Sequence, residues 1–147
     1  MKADNGAWPN AEGVIISASR FDARETMDRF VSSLAAHGMR VISVIDHGAA
    51  AAIEGISLPP AEVVIFSNPR DGVSLILAAP TIAIDMPLKA IVWQDADGGT
   101  WLAYNDPEWL ARRHWLPSGS ETRLSAMARC LESLARVATT THEDDPG

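Results

Sequence analysis

Two residues in this chain are placed to do chemistry. His47 stands in Asp46-His47-Gly48, directly after the apolar run Val41 to Ile45. An imidazole at a strand end, where side chains open onto a cleft, titrates near neutrality and can move a proton. The plainer reading bonds a ring nitrogen to a backbone carbonyl beside the helix that follows. Asp85 interrupts Ile82-Ala83-Ile84 and precedes Met86-Pro87. An acid in such a setting is costly unless it is paired or caps something. It is either a carboxylate of raised pKa in a pocket or an acceptor for backbone amides around Pro87. Ser67 and Asn68 end another apolar run, Val63 to Phe66, and Tyr104, the only tyrosine, ends a further β-biased segment. If these groups converge, His47 is the acid or base, Asp85 orients or charges it, and Ser67, Asn68 and Tyr104 hold the ligand. The matching reaction is proton transfer on a small organic substrate: an isomerisation, elimination or hydration.

Other chemistries lack their residues. There is no G-x-S-x-G elbow, no phosphate loop, no G-x-G-x-x-G and no H-E-x-x-H. The histidines at 37, 47, 114 and 142 share no metal-ligand spacing. His37 precedes Gly38 at a helix end, where a cation suits the dipole. His114 follows Arg112-Arg113 on a polar helix edge and is expected to meet solvent, while His142 lies in the tail. Asp95 and Asp97 lack the further ligands of a calcium loop. The single cysteine, Cys130, cannot close an internal disulfide or build a cysteine zinc site. No metal and no cofactor is expected.

The elements that must position these residues follow from periodicity. Val14 to Ser19 alternates like a strand. Asp22 then caps a helix, with Glu25 at capping-box spacing, Met27, Phe30, Val31 and Leu34 forming an apolar stripe, and Gly38 ending it. Val41 to Ile45 is a second strand, followed at Ala49 to Ala52 by one or two helical turns at most. Val63 to Phe66 reads as a strand buried on both faces. Val73 to Ala79 is taken as helix. Leu88 to Asp95 and Thr100 to Tyr104 flank an Asp-Gly turn and form a hairpin. Asp106 caps a short helix with Pro107 at its first position. The last helix carries Leu124, Met127, Leu131 and Leu134 inward, with Glu132 and Arg136 paired outside. A hairpin in this order of elements requires antiparallel pairing, so the fold class is α+β, with both stripes packed on one sheet. Residues 1–12 read as a flexible leader, 13–138 as a single domain and 139–147 as a frayed polar tail.

Composition narrows the partners. The 147 residues are 47% hydrophobic and 21% charged, a globular composition able to bury a sizeable core. A net charge of −7 disfavours nucleic acid and anionic membrane surfaces. No stretch approaches the roughly 20 apolar residues of a membrane span, and no apolar leader is seen, so a cytoplasmic location is expected. Five tryptophans in so short a chain suit core or subunit-interface packing.

Several linked segments carry a resemblance. Thr26, Ile45-Asp46-His47, Ile65-Phe66-Ser67-Asn68-Pro69, Ala83-Ile84-Asp85-Met86-Pro87-Leu88-Lys89 and Tyr104-Asn105-Asp106-Pro107 stand in the same order as in the domain-of-unknown-function family 302. The resemblance spans about residues 13 to 137. It implies a curved antiparallel sheet with helices on one face, similar to a TATA-box-binding-protein-like half fold, in bacterial or archaeal proteins that are often dimeric and have no settled activity. The chain departs from the family pattern at Ser67, where a glycine is usual, and at Val73, Met86 and Gln94. Two functions follow as expectations. One is a small-ligand-binding domain, catalytic or not, with its site near His47 and Asp85. The other is a non-catalytic homodimeric interaction or scaffold protein whose motif residues are structural.

Overall fold

The computed structural model describes residues 11–117, 119 and 121–141. The expected leader up to residue 10, and the tail from residue 142 with His142, lie outside the described residues. The elements run β1 (Val14–Ser19), α1 (Ala23–Ala36), β2 (Arg40–Asp46), α2 (His47–Ile53), β3 (Ala61–Ser67), α3 (Pro69–Ala78), a 3-10 segment (Pro80–Asp85), β4 (Leu88–Gln94), β5 (Thr100–Asn105), α4 (Pro107–Arg113) and α5 (Glu121–Thr139). All five strands pair antiparallel in one sheet of order β1-β5-β4-β3-β2. The fold is α+β, as the hairpin required.

Local chemistry accounts for the element ends. The Asp22 carboxylate accepts the Glu25 amide at 2.7 Å and starts α1. Asp106 caps α4 through the Glu108 amide at 3.0 Å, with Pro107 occupying a position that needs no donor. Gly38, at φ +72°, takes the left-handed turn after α1 that a side chain would oppose. In the β4–β5 turn, buried Asp95 accepts from the Asp97 and Gly99 amides and from the Trp101 indole. Its carboxylate is an internal turn anchor.

Alternation sorts the sheet into two faces. Val64 and Phe66 of β3, Leu88, Ala90 and Val92 of β4, and Leu102 and Tyr104 of β5 point to one side. Met27, Phe30 and Leu34 of α1 and Leu124, Leu131 and Leu134 of α5 close over them, with Val31 and Met127 packed at the margin. Phe30 meets Phe66 edge-on, ring centroids 5.7 Å apart. The other face carries Val63, Ile65, Ile91, Trp93 and Trp101, all half-buried. Burial of β3 on both faces was expected. The structure corrects this, because both sheet-packing helices lie on the Phe66 side. Trp93 and Trp101 stack across the hairpin at 6.4 Å.

The C-terminal end of α5 is held by the β1–α1 connection and by α1. Thr139 is buried, its carbonyl accepts the Arg20 amide, and the Arg29 guanidinium holds the carbonyls of Val137 and Thr140. At the other end, the Trp109 ring lies over Gly13. A Cβ there would stand 2.2 Å from the ring, so glycine is required by contact as well as by its φ of +77°. Trp109 also donates to Glu12 at 3.2 Å, which places α4 against the start of β1.

Candidate functional site

The β3 strand ends at Ser67, and Asn68 then caps α3. Asn68 occupies the N-cap position, yet its carboxamide makes no capping hydrogen bond. Beside it lies a cavity of about 250 Å³, just under the usual range for small-ligand sites of roughly 300–1,000 Å³. Its polar lining is confined to Ser67, Asn68 and Asp71. The remainder is apolar: Val73 and Ile76 of α3, Ala83, Met86, Pro87 and Leu88 below, Met127 and Leu131 of α5, and Met39. Three thioether side chains in the lining, from Met39, Met86 and Met127, make it adaptable to the shape of its contents.

The wall formed by the 3-10 segment is held from behind. Asp85 receives two hydrogen bonds from the Arg113 guanidinium, at 2.9 and 2.8 Å, and one from His114 Nε2 at 2.5 Å. The other ring nitrogen of His114, Nδ1, lies 2.9 Å from the Thr81 hydroxyl. The His114 side chain is only 7% exposed. Burial alone would raise the Asp85 pKa; the His114 hydrogen bond and the Arg113 charge outweigh it and hold the carboxyl below its ordinary range. The expectation that His114 meets solvent is therefore corrected: α4 lies against the 3-10 segment and turns its terminal side chains into it. The raised-pKa reading of Asp85 is corrected by the same contacts. An orphan acid in an apolar run demanded a partner, and the Arg112-Arg113-His114 cluster was a signal for it.

The five residues singled out from sequence do not share one site. Ser67 and Asn68 line the cavity, and Asp85 sits on the same end of the sheet, behind the cavity wall. His47 lies at the opposite end. Asp46 pairs with Glu62 at the start of β3, whereas Arg40 pairs with Ser67 at its finish, roughly 20 Å of strand away. His47 is exposed at the first position of α2, too far from Asp85 to exchange a proton with it. The pairing of His47 and Asp85 in one pocket is thus overturned by the register of β2 on β3. Tyr104 faces the helices from the middle of the sheet and is buried in the core, away from the cavity. Burial, followed by the nearby charges of Glu132 and Asp106, pushes its pKa up to about 12. Cys130, half-buried and free, has its thiol pushed up by burial and by the charge of Asp71.

Among the described residues no group of His, Cys, Asp and Glu could hold a metal ion, and no helix is long and apolar enough to cross a membrane. The chain is 41% identical over 126 residues, 86% of its length, to "Fluoride-specific ion channel FluC 1" of Brucella suis biovar 1 (strain 1330) and to the protein of the same name of Brucella abortus biovar 1 (strain 9-941). It spans 50% and 47% of those two proteins, about half their length. The fold is shared with an uncharacterized conserved protein DUF302 from Bacillus stearothermophilus, known from its crystal structure. That match has a TM-score of 0.77 at 16% identity and covers 87% of this chain and 99% of the other. The model of one family, Domain of unknown function DUF302, matches residues 15–134, and the chain belongs to that family.

Proposed function

We propose that this domain binds a small organic molecule with an apolar body and one hydrogen-bonding group, held between α3, the 3-10 segment and α5. The observation that carries this reading is the lining: an apolar cavity of about 250 Å³ whose polar groups gather on one side, at Ser67, Asn68 and Asp71. The apolar walls supply affinity through burial, and the carboxamide of Asn68, unused as a cap, supplies direction. With His47 remote, the site has no acid–base pair for proton transfer, and binding rather than turnover is the activity it supports. The Asp85–His114–Arg113 cluster acts by fixing the wall.

The lengths of the Brucella proteins add a second component. They carry a channel name, and among the described residues of this chain no helix is long and apolar enough to cross a membrane. The corresponding role for such a domain is ligand sensing beside a transport protein, not formation of the ion path. The module is proposed to self-associate as a homodimer and to work in the cytoplasm, which suits the free Cys130 thiol.

The test is a titration of the isotopically labelled chain, followed by amide chemical shifts, with a panel of short-chain acyl amides and aryl alcohols. Shifts are expected at Ser67, Asn68, Asp71 and Gly72, with Asn68→Ala weakening the best binder about tenfold while leaving the thermal melt unchanged. Sodium fluoride added to the same sample is expected to move none of them. A panel that shifts nothing at this end of the sheet sinks the binding reading; fluoride-specific shifts there overturn the choice of an organic ligand.

A further inference from the structure

The clamp that fixes the cavity wall has an outer side, where a hydroxyl joins it. Thr81 is the second residue of the 3-10 segment, and its Oγ1 lies 2.9 Å from Nδ1 of His114. Nε2 of His114 lies 2.5 Å from the Asp85 carboxylate. Hydroxyl, imidazole and carboxylate thus form one chain of hydrogen bonds between the 3-10 segment and the end of α4. Thr81 is exposed, whereas the side chains of His114 and Asp85 are only 7% and 16% exposed. A reachable hydroxyl backed by a covered base and a covered acid is the arrangement that activates an oxygen nucleophile.

Asp85 decides where the protons sit. Arg113 donates to both of its oxygens, at 2.9 and 2.8 Å, and an ionised carboxylate can only accept. Nε2 of His114 must then carry a proton and donate it. Arg113 already balances the charge of Asp85, so the imidazole completes the cluster in its neutral form, with Nδ1 bare. Nδ1 therefore accepts the Thr81 hydroxyl, which is the tautomer a general base needs. Residues three apart in a 3-10 helix share a face, so Ile84 stands on the same side as Thr81, and it is 75% exposed. It offers an apolar surface beside the hydroxyl.

We propose that Thr81 is a nucleophile that takes the acyl group of an activated ester with a short apolar acyl chain. As Oγ1 bonds to the ester carbonyl carbon, its proton passes to Nδ1 of His114, and Asp85 faces the imidazolium so formed. The bond from that carbon to the leaving oxygen breaks, and the proton moves from Nδ1 to the leaving oxygen, releasing the alcohol. Water then attacks the Thr81 ester by the same route, giving the carboxylic acid and restoring the hydroxyl. Thr81 and His114 are catalytic residues here, and Asp85 is a positioning residue that fixes the tautomer. None of the three lines the ligand cavity, so this reaction and the proposed binding stand or fall separately.

Mixing the full chain with 4-nitrophenyl acetate tests the assignment. Nitrophenolate release is followed by absorbance, and the acetylated peptide is located by mass spectrometry after an acid quench. A burst of about one nitrophenolate per chain is expected, with the acetyl group on Thr81. Thr81→Val keeps the shape of an exposed side chain and removes the nucleophile; it should lose both burst and label while melting as the wild type does. Thr81→Ser should keep both. His114→Gln cannot take the proton and should slow acetylation about a hundredfold. A chain that gives no burst, or one acetylated only on lysine or the amino terminus, overturns the proposal, as does a burst that survives Thr81→Val. A label on Thr81 that forms equally fast in His114→Gln overturns the relay.

Discussion

Tyr104 has its ring in the core between the sheet and α5, with the carboxylates of Glu132 and Asp106 near enough to oppose a phenolate. Its pKa of about 12 in the folded chain lies above the ordinary value of 10.0. A raised folded-state value means that the stabilisation is complete below the unfolded pKa and fades as pH rises toward 12. Because this is the only tyrosine, phenolate absorbance is expected to stay low at pH 11 while the fold persists and to rise abruptly on unfolding. An ordinary titration near pH 10 in the folded protein contradicts the burial. The sequence placed Tyr104 correctly at the end of a hairpin strand. Which way it faced depended on strand parity against β4 and β1, and that is settled only once β5 is paired on both sides.

At the level of elements, the clamp between α4 and the 3-10 segment is the contact that defines the cavity wall. Asp85→Asn keeps the shape but removes the charge that Arg113 and His114 address, and a cost of about 1–3 kcal/mol is expected at neutral pH. The Asp85 carboxyl lies below its ordinary range, so its contribution is present above the unfolded carboxylate pKa. It is lost as pH falls through the lower, folded value. Thermal melts of wild type and variant should therefore differ at neutral pH and converge in strong acid; a constant difference would place the effect elsewhere. Elements with strong periodicity were readable in advance: the stripes of α1 and α5, their capping residues, and the β4–β5 hairpin with its Asp-Gly turn. The 3-10 segment was not. Pro80 and Asp85 bound six residues with neither a helical stripe nor an alternation, and they are held by Arg113 and His114, 28 and 29 residues beyond Asp85. The cavity was half legible for the same reason. Ser67 and Asn68 mark a strand end, but Met39, Met86 and Met127 come from three distant segments that only the packed structure brings around one space.

On the scale of the whole molecule, the strand order makes the ends of the chain depend on each other. Val14 pairs with Asn105, and β1 has no other neighbour in the sheet. The Met27–Phe30–Leu34 stripe of α1 likewise packs beside α5, the last of the described elements. During synthesis β1 thus leaves the ribosome well before β5, its partner in the sheet, and contacts of low sequence separation cannot shelter it in the interval. Ribosome-bound chains arrested ahead of β5 are expected to be cut by protease within β1, residues 14–19, whereas released chains resist there. Equal protection of both would mean that β1 finds a shelter this sheet does not provide. A growing polypeptide with this topology is expected to engage chaperones at the tunnel exit until β5 has emerged to pair with β1.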